Sequence, residues 1–185
     1  MNPYRRFNFI LYKRIIRTND QRPTTSDQRP TTNDRIMNFI KRYLPDTLSR
    51  RDKTLQRSEL RKSRKLYKRH KYYTRRKNIR TFTSKPSGHV ARAKQLYGVD
   101  YIRPTRELSK RTGCSIKGLR QIVRKGEGAY YSSGSRPNQT QQSWGNARLA
   151  SAITGGNASA VDFHIIDKEC DHNKRAYRLA QKPRK

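Results

Sequence analysis

The chain has 185 residues, of which 45 are Lys or Arg and 13 are Asp or Glu, for a formal net charge of +32. Only 31% of residues are hydrophobic, against roughly 45–50% apolar usage (Gly included) in ordinary domains, so one core spanning the whole chain is not expected, and no run reaches the ~20 apolar residues of a membrane span. Such a charge repels itself and calls for an anionic partner; nucleic acid is the commonest, with acidic protein surfaces and anionic membranes as rivals.

Residues 1–17 are apolar and basic, with Phe7, Ile10, Leu11 and Ile15 at helical spacing. This allows a docking or membrane-surface helix; a small helix packed on its own protein, or a disordered leader, is the plainer reading. Lys13, Arg14 and Arg17 interrupt the stripe, which is too charged for a signal-peptide core. Residues 18–35 are a tandem repeat, TNDQRPT, TSDQRPT and a truncated TNDR. Pro23 and Pro30 exclude a helix and no apolar seam exists for a coiled coil, so these QRPTT repeats read as a disordered or extended linker. Ile36, Phe39, Ile40, Tyr43 and Leu44 form a second short apolar stripe.

After Pro45, Asp46 or Thr47 can cap a helix, and a long basic helix is expected from Leu48 to about Lys77. From Arg50 to Arg80 there are 15 Lys or Arg against two acids, Asp52 and Glu59. Like charges three and four apart repel on an isolated helix, so the segment should be marginal alone and helical once neutralised. Arg61, Lys62, Arg64, Lys65, Lys68, Arg69, Lys71, Arg75, Arg76 and Lys77 are candidate phosphate contacts. Tyr67, Tyr72 and Tyr73 lie among them and can pack on sugar or stack on unpaired bases. The competing readings are a solvated basic face, or an arm threading between acidic capsid proteins. Residues 81–90 read as a loop, and Val90 to Tyr97 as a short helix stopped by Gly98.

Thr105 to Lys125 carries the most specific local signal. Thr105 caps a helix carrying Leu108, Gly113 ends it, and Ser115 caps a second helix with Ile116, Leu119, Ile122 and Val123 inward. Ser109, Gly113, Leu119 and Ile122 stand where a helix-turn-helix wants a small residue, a turn glycine and two apolar packers. The second helix would display Lys117, Arg120, Gln121 and Arg124 to phosphates or base edges. A plain helical hairpin has the same pattern, and Gly118 early in the second helix favours it. Gly126-Glu127-Gly128 reads as a hinge and Ala129-Tyr130-Tyr131 as extended. Ser132 to Ser135 with Arg136 reads as a polar loop, either holding an anion or fixing Trp144. Thr140 caps a helix to about Thr154, with Trp144 at the centre of the small core. Ser159 and Asp162 suggest a capping-box variant for a last helix, Ala160 to Lys168, and 171–185 read as a frayed basic tail.

Cys114, His164, Cys170 and His172 are the only soft-ligand candidates and lack the paired spacing of a zinc site. Two cysteines do not make a disulfide framework and fit a reducing compartment; Cys114, at a helix start, is expected to carry a thiol of lowered pKa. No nucleophile motif surrounds either cysteine. Asp162, Asp167, Glu169 and Asp171 have no second acidic cluster to complete a metal-dependent nuclease. No catalytic residue, metal or cofactor is expected.

The runs GEGAYYSSGSRP (126–137), SWG (143–145), ARLAS (147–151), TGG (154–156) and KYYTRRK (71–77) resemble a small uncharacterised domain family of large double-stranded DNA viruses of algae and protists, with more distant relatives in tailed phages. The similarity covers about 45–172. It implies a viral context, as a virion component or a factor acting on the viral genome, and carries over no catalytic residue. The combined expectation is a mainly α protein: a leader (1–45), a basic helical arm and loop (46–89), a small helical domain with a helix-turn-helix-like hairpin (90–170) and a basic tail (171–185). Its expected role is non-enzymatic binding and packaging of viral duplex DNA, with Arg120, Arg124 and Arg136 as ordered contacts. The alternative is a minor capsid protein whose arm threads between larger shell proteins. Its expected place is the virion, or otherwise the reducing interior of an infected cell.

Overall fold

Helices dominate the chain, as expected. The computed structural model describes residues 39–76 and 79–181; the apolar leader, the QRPTT repeats, Lys77 and the last four residues of the tail lie outside the described residues. In chain order the helices are α1 (Arg50–Tyr67), α2 (Gly88–Tyr97), α3 (Arg106–Thr112), α4 (Ile116–Ser132), α5 (Gln141–Ile153), α6 (Asn157–Val161), α7 (Phe163–Glu169) and α8 (Arg175–Gln181). Among the described residues no strand forms. Local chemistry sets many of the ends. Side chains of Ser49, Thr105, Ser115 and Thr140 accept the orphan amides of Asp52, Leu108, Gly118 and Ser143 at the starts of α1, α3, α4 and α5. Gly98 and Gly113 close α2 and α3 in the left-handed conformation, which costs a residue without Cβ least.

The main core gathers on α5. Leu149, Ala150, Ala152 and Ile153 are wholly buried, packed by Leu119 and Ile122 of α4, Ala93 and Tyr97 of α2, Leu108 of α3, Ile165 and Ile166 of α7, and Ala176, Tyr177 and Ala180 of α8. Each fully buried Leu or Ile contributes roughly 1.5–3 kcal/mol. Trp144 is not the centre of this core. It is half-buried and joins a smaller cluster of Tyr43, Leu44 and Leu60, with its ring edge-on to Tyr43 at 5.9 Å.

Several expected boundaries move. The hinge at Gly126–Gly128 and the extended 129–131 segment are absent, because α4 runs unbroken to Ser132. Gly126 is there for close approach: a Cβ on it would lie 2.7 Å from the Gly145 Cα of α5, and one on Gly145 would lie 2.9 Å from the Val123 carbonyl. The expected 160–168 helix is two helices, α6 and α7, that meet at Asp162. Its wholly buried carboxylate accepts from Arg148 Nε and Nη2 at 2.7 and 2.8 Å and pairs with Lys125 at 2.7 Å, so Asp162 ties α6 and α7 to α4 and α5 rather than capping a helix. The tail, expected to fray, is helical over Arg175–Gln181, where α8 buries Ala176, Tyr177 and Ala180. The cysteines are a bonded pair, Cys114–Cys170, flanked by backbone bonds from Ser115 N to Glu169 O (2.7 Å) and Asp171 N to Gly113 O (2.9 Å); Cys114 is therefore no thiol of lowered pKa.

The basic helix ends at Tyr67, about three turns before the expected Lys77. The amides of His70 and Lys71 bond back to the Tyr67 and Leu66 carbonyls, and His70 adopts a left-handed backbone at φ 58°. The chain then leaves α1, and residues 71–76 return along it, with the Tyr73 hydroxyl and the Arg76 amide bonded to Glu59. The cause is Arg75, whose guanidinium is buried beneath α1 and α4.

Candidate nucleic-acid interface

α1 buries a polar face. Asp52, Gln56, Glu59 and Ser63 follow one another at four, three and four residues, and all are buried, which places them on one side of the helix. Their partners belong to the segments α1 lies on. Asp52 accepts from the Thr81 amide and hydroxyl at 2.8 and 2.7 Å. Glu59 accepts from the Tyr73 hydroxyl and the Arg76 amide. Gln56 donates to the carbonyls of Tyr43 and Ser135. Hydrogen bonds from Thr81 hold the Asp52 carboxyl below its ordinary value.

Both acids of α1 thus point inward, and the outer side is cationic. Arg50, Arg51, Arg57, Lys62 and Lys65 are exposed along the helix, followed by Lys68, Arg69, His70 and Lys71 at its end. Eighteen helical residues give this stripe a length of about 27 Å. Arg61 is half-buried on the same helix, and Arg76 is exposed just beyond.

Two of the expected phosphate contacts are not on this surface. Arg75 is only 5% exposed. Its Nη1 donates to Ser63 Oγ and the Tyr130 carbonyl at 3.0 and 2.8 Å, its Nη2 to Ser135 Oγ at 2.7 Å, and its Cζ lies 3.6 Å from the centre of the Tyr130 ring. Burial pushes its guanidinium below the usual pKa, yet arginine stays protonated in proteins. Arg64 donates to the Ser133 carbonyl at 2.6 Å and lies over Phe39, with its Nε buried and without an acceptor. These two arginines lock α1 and the 71–76 segment to the 133–135 loop. The loop therefore meets internal guanidinium groups, and Ser135 already has a cation to accept from.

Of the three tyrosines, Tyr73 turns inward to Glu59 and lies beneath Lys62 Nζ at 4.4 Å. Tyr72 is exposed, and the half-buried Tyr67 and Tyr131 of α4 pack against it. Sequence reasoning missed Tyr131, because a break at Gly126–Gly128 would have put it on another element.

The remaining expected contacts stand elsewhere. α1 meets α4 through Tyr130, Tyr131 and the following loop, whereas Lys117 and Arg120 lie toward the other end of α4 and Arg124 at its middle, all exposed; Lys117 and Tyr131 are about 21 Å apart along the helix axis. The α3–turn–α4 arrangement forms, but Glu169 faces the start of α4: its Oε2 accepts from Ser115 Oγ, and its Oε1 is 3.9 Å from Lys117 Nζ. A carboxylate thus sits at the end where a recognition helix makes its base contacts. Arg136 is exposed and lines an open groove of about 480 Å³ with Arg42, Lys85, Thr47, Thr81, Thr83 and Phe82; no periodicity links these positions, so only the folded chain brings them together.

Among the described residues no group of three or more His, Cys, Asp or Glu could hold a metal ion, and no helix is long and apolar enough to cross a membrane. A protein-family model, described as a family of unknown function (DUF5824), matches residues 40–175. The chain belongs to that family. No curated protein and no solved structure matches it.

Proposed function

We propose that this member of a family of unknown function binds nucleic acid through phosphate contacts made by the outer side of α1 and the turn that follows it. The observation that carries the reading is the sorting of charge on α1. Its acids, Asp52 and Glu59, are hydrogen-bonded to the adjacent segments, while its outer cations are exposed to solvent. Lys and Arg that neutralise phosphates release condensed counterions, and this supplies most of non-specific affinity. In the viral setting that the sequence motifs imply, such a protein packages or condenses the genome without catalysing a reaction. The alternative, an arm threading between larger shell proteins, draws no support from α1, whose inner face belongs to its own domain.

The test is equilibrium binding of the full chain to duplex DNA across a salt series, with an Arg57→Ala/Lys62→Ala/Lys65→Ala variant. Log affinity should fall linearly with log salt, and the slope should flatten by about 0.9 for each phosphate that is no longer neutralised. Arg57 and Lys65 are exposed and Lys62 gives up its contact over Tyr73, so thermal stability should fall by no more than about 1 kcal/mol. A wild-type chain that binds weakly at physiological salt, or a variant with an unaltered slope, would overturn the reading.

A further inference from the structure

We infer that Tyr72, supported by the half-buried Tyr67 and Tyr131, forms a stacking platform for an unpaired base, so that a single-stranded stretch gains a contact that a duplex cannot make. This rests on the nucleic-acid reading above and narrows its substrate class. The Tyr67 and Tyr131 rings are parallel within 6°, with centroids 6.4 Å apart. Tyr72 stands across both, 6.0 Å from Tyr67 and 5.2 Å from Tyr131 at interplanar angles of 68° and 66°. Among the described residues the large hydrophobic side chains that are exposed are Tyr72, at 45%, and Tyr101.

The placement is built, not incidental. α4 fixes Tyr131, and the Tyr67 hydroxyl oxygen lies 3.7 Å from where a Cβ on Gly128 would be. The left-handed turn at His70 reverses the chain so that Tyr72 comes back over Tyr67. A left-handed backbone is uncommon for a residue with a side chain, and here it sets the third ring. The same turn rings the platform with exposed Lys68, Arg69 and Lys71. Aromatic faces beside a cationic track bind single strands, because each unpaired base offers a π-face. A duplex keeps those faces stacked inside and can use only the cations.

The experiment compares the full chain with Tyr72→Ala and Tyr72→Phe on three labelled probes of equal length: oligothymidylate, oligouridylate and a mixed-sequence duplex. Alanine should weaken single-strand binding about fivefold or more, the effect of losing one base–aromatic stack. Duplex affinity should change less than twofold, and phenylalanine should restore the single-strand affinity. Loss on oligothymidylate alone, or on oligouridylate alone, assigns the platform to DNA or to RNA and supports the inference in either case. Equal losses on duplex and single strand, or no loss, would overturn it while leaving salt-dependent duplex binding, and so the phosphate reading, standing. A wild-type chain that binds none of the three probes overturns both.

Discussion

The molecule is held together by two kinds of interior. Around α5 the buried side chains are mostly apolar and packed by shape, with one buried charge cluster at Asp162. Beneath α1 a small apolar cluster at Leu60 is joined by Asp52, Gln56, Glu59, Ser63 and Arg75, and much of what these five bind is backbone. The difference follows from charge. A helix with this many cations gains from turning its two acids inward, where they accept amides and hydroxyls of adjacent segments. Polar contacts of this kind are directional and fix 71–76 and 79–81 against α1. The apolar body supplies stability, and the polar layer supplies the position of a cationic surface.

The contrast can be broken most strongly from the apolar side. Leu149→Ala should cost about 3–4 kcal/mol, by lost transfer energy and the cavity left behind, and should lower hydrogen-exchange protection in every helix; chemical denaturation with residue-level exchange measures both. Arg75→Met should cost less, about 2 kcal/mol. The variant leaves Ser63, Ser135 and the Tyr130 carbonyl short of a donor, while it removes a buried cation with no carboxylate among its hydrogen-bond partners. Its effect should be local, with protection lost in 71–76 and retained in α5. Equal loss in α5 would show that the two interiors are one cooperative unit.

Acid should separate them more gently. The folded Asp52 carboxyl titrates below its ordinary value of 3.8, held down by Thr81. Its contribution is therefore complete above about pH 3.8 and is lost as pH falls through the lower folded value. Glu127, on α4, has the opposite sign: burial raises its carboxyl above 4.5, so its charged form opposes folding, and acidification toward the raised value relieves this. Asp52→Asn should flatten the acid limb of a stability–pH profile below pH 4, and Glu127→Gln should raise stability at neutral pH. Matching profiles for the two variants would contradict the assignment.

What the sequence revealed was local. Thr105, Ser115 and Thr140 as caps, and Gly98 and Gly113 as stops, act within a turn of themselves and could be read without a fold. The failures all involve partners far along the chain. Gly126 looks like a helix breaker until Gly145 is laid against it. Arg75 and Arg76 are the same residue type, yet one is buried and the other exposed, and only Tyr130 and Ser135 decide which. The inner face of α1 was present as Asp52, Gln56, Glu59 and Ser63 at helical spacing, but a periodicity sought in apolar residues passes over a polar stripe. The tyrosine platform was half legible: Tyr67 and Tyr72 stood among cations, while Tyr131 could join them only on an unbroken α4.

The Cys114–Cys170 bond closes a loop of sequence separation 56, and α4, α5, α6 and α7 all lie within it. The chain is thus a covalent ring with two branches, one carrying α1, α2 and α3 and the other α8. A peptide bond cut anywhere between α4 and α5 would open the ring without releasing a piece, so the nicked protein would keep its mass until reduced. The central helix of the main core, α5, and the helix that anchors Tyr131, α4, both belong to the ring, which makes it the part of the molecule that a single cut cannot disperse.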